Sequence, residues 1–171
     1  TLIRLIAGIL MPDEGYITLR GRKTSDITRR EAARLVSLVP QETPATFPFK
    51  VEEIVLMGRT PYSPFLSFES ESDFEIARDS LKQTDTYHLR DRYFDELSGG
   101  ERQLVVIARA LAQQAPIMIL DEPTTFLDIR HQVQILDILT RLNREQERTI
   151  IIVSHDLNLA SLYCDRLVLL N

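Results

Sequence analysis

The sequence is poor in cysteine and in positive charge. Cys164 is the single cysteine among 171 residues, so no internal disulfide can form and a reducing compartment is indicated. The net charge of −5 offers no basic surface, and we therefore expect no nucleic-acid partner. Long apolar runs are also missing, because Arg109 interrupts the longest candidate, Leu104 to Ala112. We expect the chain not to cross a bilayer itself.

The composition is otherwise that of a globular domain, with 44% hydrophobic and 26% charged residues. Four runs consist almost entirely of valine, isoleucine and leucine, without polar alternation. They are Val36–Val39, Ile117–Leu120, Ile150–Val153 and Leu167–Leu170. Such runs are typical of strands buried on both faces of a parallel sheet. A helical pattern begins at Ile129, so the order of elements predicts an α/β fold.

Two other segments depart from this pattern. Gly15–Gly21 alternates between glycines and predicts part of a small antiparallel hairpin. The segment 42–97 is rich in proline, has little strand signal, and contains predicted helices over Val51–Met57 and Phe74–Leu81. We therefore predict a single domain over 1–171, with an α/β core over 1–41 and 98–171 and a helical subdomain over 42–97.

Acidic residues follow the second apolar run directly. Ile117–Leu120 delivers Asp121 and Glu122 to the carboxyl end of a predicted strand, where open α/β sheets bind ligands. One carboxylate can hold Mg²⁺, and the next can orient or deprotonate a water molecule. Taken alone, the same pattern is equally typical of a strand that ends in a solvated acidic turn.

A glycine pair opens the helical pattern that follows Leu97. Ser98 and Glu101 form an S-x-x-E capping box, which by itself indicates only a well-capped helix. The box does not require Gly99 and Gly100. Their missing side chains let backbone N–H groups meet an anion at the positive end of the helix dipole. Both interpretations can hold together.

Gln41 and His155 also follow apolar runs, although neither is informative alone. Together with Leu97–Glu101, Asp121–Glu122 and Asp128 they form an ordered set that resembles the nucleotide-binding domain of ATP-binding cassette (ABC) proteins over essentially the whole chain. In this resemblance, Gln41 corresponds to the Q-loop and LSGGE to the signature. The remaining matches are the Walker B strand with its glutamate, the D-loop aspartate and the switch histidine: Ile117–Glu122, Asp128 and His155.

The resemblance implies a P-loop NTPase-like parallel sheet core flanked by helices, with an inserted helical subdomain and a remnant of an antiparallel β subdomain. It also implies ATP and Mg²⁺ as cofactors. Glu122 would polarise the attacking water, His155 would touch the γ-phosphate, and Asp121 and Gln41 would serve Mg²⁺. Further nucleotide-binding positions implied by the family are Thr1, Ser98, Gly99, Gly100, Glu101 and Asp128.

Softer similarities suggest a subclass. Four segments look like the corresponding segments in the ATPases of importers of iron–siderophore chelates, haem and cobalamin. They are Gly58–Tyr62, Asp128–Gln132, His155–Ala160 and Tyr163–Arg166. By this resemblance, two copies pair head to tail around two ATP molecules, and residues 42–97 dock on membrane permease subunits at the cytoplasmic face. Departures from the common family pattern are Leu104 and Thr125–Phe126; Phe126 lies where it can alter packing near the dimer seam.

The family's phosphate loop, G-x-x-x-x-G-K-[ST], is not found in these residues. Thr1 looks like the residue after its metal-binding Ser/Thr, and none of Lys23, Lys50 and Lys82 follows a glycine. We therefore expect an internal fragment of an importer ATPase that is inactive by itself, lacks the strand before the loop and binds Mg·ATP poorly.

Three alternatives are weighed against this interpretation. A DNA-associated cassette ATPase requires a long coiled coil, for which Thr1–Leu97 leaves no room and shows no heptads. A soluble translation factor with tandem cassettes is disfavoured because only one cassette is visible, but it stays open because the chain is expected to be a fragment. A non-catalytic regulatory piece is disfavoured for the parent protein by intact Glu122 and His155.

Overall fold

Seven α-helices and five strands lie within the residues that the computed structural model describes, 2–41, 48–63 and 69–170. In chain order they are α1 (Leu2–Ile6), β1 (Thr18–Leu19), β2 (Arg22–Lys23), α2 (Arg29–Leu35), β3 (Val36–Val39), α3 (Val51–Leu56), α4 (Glu71–Gln83), α5 (Gly99–Ala112), β4 (Ile117–Asp121), α6 (Ile129–Gln146), β5 (Thr149–Val153) and α7 (Leu157–Tyr163). No helix in this part of the chain is both long and apolar enough to span a bilayer.

The central sheet is parallel and has the strand order β3-β4-β5. Val36 pairs with Ile117, and Ile117 pairs in turn with Thr149. The register carries on to Asp121, which pairs with Val153. Three of the four predicted strands are therefore confirmed, and their carboxyl ends lie side by side at one edge of the sheet.

Both faces of this sheet are covered, as the unbroken apolar runs predict. Met118 and Leu120 point into a core shared with α3, α4, α5 and α6, and both are fully buried. Ile119 points to the opposite face, where it packs with Ile3 and Leu19 in a smaller cluster. Alternation along β4 therefore divides its side chains between two apolar layers, and the predicted α/β fold class is confirmed.

The strand predicted at Leu167–Leu170 is wrong. These residues have no regular secondary structure, and their exposures run from 54% to 83%. An apolar run becomes a strand only where a neighbouring strand satisfies its backbone and another layer covers its side chains. In the described part of the chain, this segment pairs with no strand of either sheet. The composition of Leu167–Leu170 indicates a propensity to form a strand, but it does not determine whether another strand lies beside these residues.

The predicted antiparallel hairpin is confirmed. β1 and β2 pair through Thr18 with Lys23 and through Leu19 with Arg22. The two intervening residues, Arg20 and Gly21, have φ values of +50° and +80°. Two successive residues with positive φ match the right-handed twist of a tight hairpin, which explains a glycine at the second position.

The helices of segment 42–97 pack on α5 rather than standing apart from it. Gly58 lies so close to α5 that an added Cβ would sit 2.2 Å from the carbonyl oxygen of Arg109. Arg59, 6% exposed, donates to Asp73 in α4 at 2.9 Å and to the carbonyl of Ala112 at 2.8 Å. A buried guanidinium paired in this way joins α4 to the end of α5. The division between subdomains stays a prediction.

Candidate nucleotide site

Three polar residues meet where the parallel strands end. Gln41 follows β3, Glu122 follows β4 and His155 follows β5. The Gln41 amide Nε2 donates to Glu122 Oε2 at 3.1 Å, and His155 Nε2 lies 2.6 Å from Glu122 Oε1. Because parallel strands present their carboxyl ends at one edge, the fold brings together residues that are far apart in the sequence. We call Gln41, Glu122 and His155 the strand-end cluster.

Glu122 occupies a constrained backbone position. Its φ is +49°, an uncommon conformation for a residue with a side chain. Its N–H donates to the carbonyl of Val153 at 2.9 Å, and its own carbonyl accepts from the N–H of Thr125 at 3.2 Å. These two bonds fix the turn after β4 and with it the direction in which the Glu122 side chain leaves the backbone.

The Glu122 carboxylate is enclosed by donors. Its side chain is 13% exposed, whereas that of His155 is 84% exposed. Thr125 Oγ1 donates to Oε2 at 3.0 Å, beside the amide of Gln41. The carboxylate thus has a hydroxyl and an amide on one oxygen and an imidazole nitrogen beside the other. Thr125 was not predicted as a partner, because a threonine three residues after a glutamate is too common to signal one.

Asp121 and Gln41 carry side-chain oxygen atoms of the type that Mg²⁺ takes as ligands. The Asp121 side chain is half-buried and makes no hydrogen bond or ion pair within residues 2–41, 48–63 and 69–170. Gln41 donates through Nε2, which leaves its amide oxygen for a cation. No group of three or more acidic, histidine or cysteine side chains forms a closed metal site in these ranges. Two protein oxygens suit Mg²⁺, which keeps several waters and takes substrate phosphates.

The start of α5 carries the predicted capping box. Ser98 Oγ accepts from the N–H of Glu101 at 3.4 Å, and Glu101 Oε2 accepts from the N–H of Ser98 at 2.8 Å and from its hydroxyl at 2.7 Å. These bonds from Ser98 lower the pKa of Glu101. The box is therefore confirmed, and its carboxylate remains ionised near neutral pH.

The two glycines of this segment differ in their surroundings. A Cβ on Gly99 would meet only Leu127, at 3.8 Å, so this position is open. A Cβ on Gly100 would lie 2.3 Å from the imidazole of His131. The sequence-based reason for two glycines, access of an anion to the backbone, therefore fits Gly99 but is incomplete for Gly100, which is buried beneath a ring.

Asp128 is the N-cap of α6. Its Oδ1 accepts from the N–H of His131 at 3.0 Å, and its Oδ2 lies 2.8 Å from His131 Nδ1. The backbone bond and then the ring bond lower the pKa of Asp128. On either side, Phe126 and Ile129 are 91% and 67% exposed. Thr1 lies outside the described residues.

The predicted site residues form two groups rather than one. Among the residues with described positions, no hydrogen bond or ion pair joins Ser98–Glu101 to the strand-end cluster. Leu127 and His131 instead bring the start of α5 next to Asp128. The two groups are therefore held by separate sets of hydrogen bonds.

Comparison with characterised sequences places this arrangement among known proteins. The ABC transporter family model matches residues 1–125. The achromobactin transport ATP-binding protein of Dickeya dadantii is 43% identical over 168 residues, which are 98% of this chain and 62% of that protein. The ferric enterobactin transport ATP-binding protein of Escherichia coli K12 is 39% identical over 170 residues, which are 99% and 63%. The cobalamin import ATP-binding protein of Halobacterium salinarum is 37% identical over 98% of this chain and 42% of its own length.

Solved structures of ABC cassettes are similar to this chain as well. CbiO1 from Clostridium perfringens, part of the ABC transporter complex cbiONQ, superimposes with a TM-score of 0.81 at 30% identity, over 96% of this chain and 65% of that one. The cassette MJ0796, in a dimeric post-hydrolysis state bound to ADP and Pi, gives 0.77 at 27% identity, over 93% and 70%.

The fold is that of an ATP-binding cassette of the P-loop NTPase type. The chain belongs to the ABC transporter family. It spans 62% and 63% of the length of the achromobactin and enterobactin relatives.

Proposed function

We propose that this chain is part of the ATP-binding and hydrolysing subunit of an ABC importer. The observation that carries the proposal is the strand-end cluster, in which a largely enclosed carboxylate is held between an amide and an imidazole at 3.1 and 2.6 Å. A carboxylate held in this way can orient a water molecule for attack on a phosphoryl group. Catalysis is then mainly positioning and charge stabilisation.

Each member of the cluster has a distinct part in this proposal. Glu122 polarises the attacking water, and His155, exposed at the surface, reaches the γ-phosphate. Asp121 and the amide oxygen of Gln41 hold Mg²⁺, which neutralises charge on the phosphate oxygens when bound. Since Gln41 donates to Glu122 through Nε2, its amide would hold the ion with its oxygen and the carboxylate with its nitrogen.

The second group of site residues serves a second copy of the subunit. Ser98, Gly99, Gly100, Glu101 and Asp128 face the ATP bound by the partner, in a head-to-tail homodimer. Support comes from the separation of these residues from the strand-end cluster, and from the exposed Phe126 and Ile129 beside Asp128. Apolar side chains so exposed favour burial in an interface. The dimeric state of MJ0796 is consistent with this arrangement.

The transported solute belongs to the iron–siderophore, haem or cobalamin class. The relatives described above are transport or import proteins for achromobactin, ferric enterobactin and cobalamin, which supports this choice. Residues 42–97 dock on the permease at the cytoplasmic face of the membrane. Arg59 supports this role for the helical lobe, since its buried contacts to Asp73 in α4 and to Ala112 connect the lobe to the end of α5, the helix that begins with Gly99.

The test is the substitution Glu122→Gln in the full-length subunit assembled with its permease. We expect ATP binding to persist while steady-state hydrolysis falls at least a hundredfold, because the amide keeps the shape but loses the basicity. Trapped dimers should accumulate with ATP in gel filtration. Glu145→Gln, the same change at an exposed site in the last turn of α6, is the control. Hydrolysis by Glu122→Gln within threefold of wild type would remove Glu122 from this role.

A further inference from the structure

His131 is placed against the signature helix by a rigid contact. A Cβ on Gly100 would lie 2.3 Å from its Cδ2, 2.6 Å from Cγ and 2.8 Å from Nε2. Separations below 3 Å require the ring to move. The His131 side chain is 30% exposed and Gly100 is buried, so the ring covers the first turn of α5 rather than extending into solvent.

Asp128 prevents the ring from moving easily. One carboxylate oxygen accepts from the backbone N–H of His131, and the other faces its Nδ1 at 2.8 Å. Since an ionised carboxylate only accepts, Nδ1 carries the proton and the ring plane is fixed. The helix cap and the ring anchor are therefore the same carboxylate.

The loop before α6 is fixed from its other side. The Gln132 amide Nε2 donates to the carbonyl of Thr124 at 3.1 Å and to that of Leu127 at 3.0 Å. Leu127 in turn lies against Gly99. Two neighbouring contacts thus join loop 122–128 and the first turn of α6 to the start of α5 within one chain. They are Leu127 against Gly99 and His131 against Gly100.

We propose that His131 is a positioning residue that sets the distance between Asp128 and the glycines of the signature. This inference rests on the proposed function, because the two elements it joins are those that face the partner's ATP. If both must reach one nucleotide together, a ring held by Asp128 against Gly100 fixes their relative position before the dimer closes. Gly100 is then required by the ring as well as by the ligand.

The first experiment measures ATP hydrolysis by the full-length subunit. His131→Ala removes the ring and should lower kcat about tenfold, while KM for ATP stays within twofold because no ATP-contacting group is lost. His131→Asn is the conservative variant, since its side-chain amide can still donate to Asp128. We expect it to keep at least a third of the wild-type kcat. A kcat for His131→Ala within twofold of wild type would overturn the proposal, as would equal losses in both variants.

The second experiment needs no nucleotide and tests the contact itself. Gly100→Ala should lower the melting temperature in the wild-type background, and clearly less in the His131→Ala background, where space for the methyl group exists. Equal losses in both backgrounds would contradict the contact. If the wild-type subunit failed to hydrolyse ATP, the proposed function would be wrong. The double-mutant cycle would still test whether the His131 ring contacts Gly100, because it measures melting temperature rather than hydrolysis.

Discussion

The start of α5 and the strand-end cluster are both polar termini, yet they are held in opposite ways. Ser98 and Glu101 satisfy each other within one helical turn, with bonds between residues three apart. Glu122 instead depends on Gln41, which is 81 residues away, and on His155 at the end of the next strand. The first arrangement forms wherever the helix forms, and the second exists only when three strands are in register.

The local arrangement at α5 positions backbone N–H groups, whereas the strand-end cluster holds the carboxylate that is proposed to act in hydrolysis. The capping box stabilises a helix and directs its first N–H groups, as boxes of the same design do at Thr28 and Glu31 in α2 and at Ser70 and Asp73 in α4. The box at α5 differs in its surroundings, because the glycines that follow Ser98 lie against Leu127 and His131. The strand-end cluster instead takes the amide of Gln41 and the imidazole of His155 from the ends of two separate strands.

Ser98→Arg should have the largest effect among the variants that test this comparison. In the full-length subunit we expect hydrolysis to fall at least a hundredfold, because a bulky cation would occupy the helix start that faces the partner's ATP. The loss of the cap alone costs only about 1 kcal/mol of stability. Steady-state ATPase activity and circular dichroism would separate lost function from lost folding.

Ser70→Arg is the matched control, since Ser70 caps α4 with the same pattern of bonds. We expect a similar change in melting temperature and near-normal hydrolysis. Mixed dimers carrying one Ser98→Arg subunit should lose activity only at the site that faces the altered signature. If the folded Ser98→Arg variant hydrolysed ATP normally, Ser98 and Glu101 would serve only as a helix cap and the start of α5 would have no role in hydrolysis.

Thr125→Val should have an intermediate effect. It replaces the hydroxyl that donates to Glu122 Oε2 with a methyl group of similar size. Losing a hydrogen bond to a charged group costs about 1.5–3 kcal/mol, so we expect kcat to fall about ten- to a hundredfold with little change in KM. Thr125→Ser keeps the hydroxyl and should stay within twofold of wild type. Equal kcat values for the two variants would show that Thr125 does not hold the carboxylate.

Glu101→Gln should have the smallest effect, and it should depend on pH. Hydrogen bonds from Ser98 place the pKa of Glu101 below its ordinary value of 4.5. Because the folded-state pKa is the lower one, the carboxylate stabilises the fold above about pH 4.5, and this contribution is lost as the pH falls further. Melting temperatures of wild type and Glu101→Gln should differ at pH 6 and converge towards pH 3. Glu145→Gln, at an exposed site, should show no such convergence; a constant difference for Glu101→Gln would contradict the prediction.

The sequence determined whatever depends on neighbouring residues. Apolar runs predicted β3, β4 and β5, because strands buried on both faces need no polar alternation. Ser98 and Glu101 predicted their own cap, since its atoms lie within one helical turn. The glycines around the hairpin were a local signal of the same kind. The order of the ABC motifs can also be seen in the sequence alone, and the family comparison confirmed the family that this order suggested.

The tertiary structure alone decided which of these elements meet. Leu167–Leu170 has the composition of a strand but no described partner, and therefore stays irregular and exposed. Thr125 bonding to Glu122 and His131 covering Gly100 depend on the path of the turn after β4, which no local pattern encodes. Hydrogen-bond propensity is written in residue types, whereas proximity between distant segments arises only when sheet register and helix packing fix their distances.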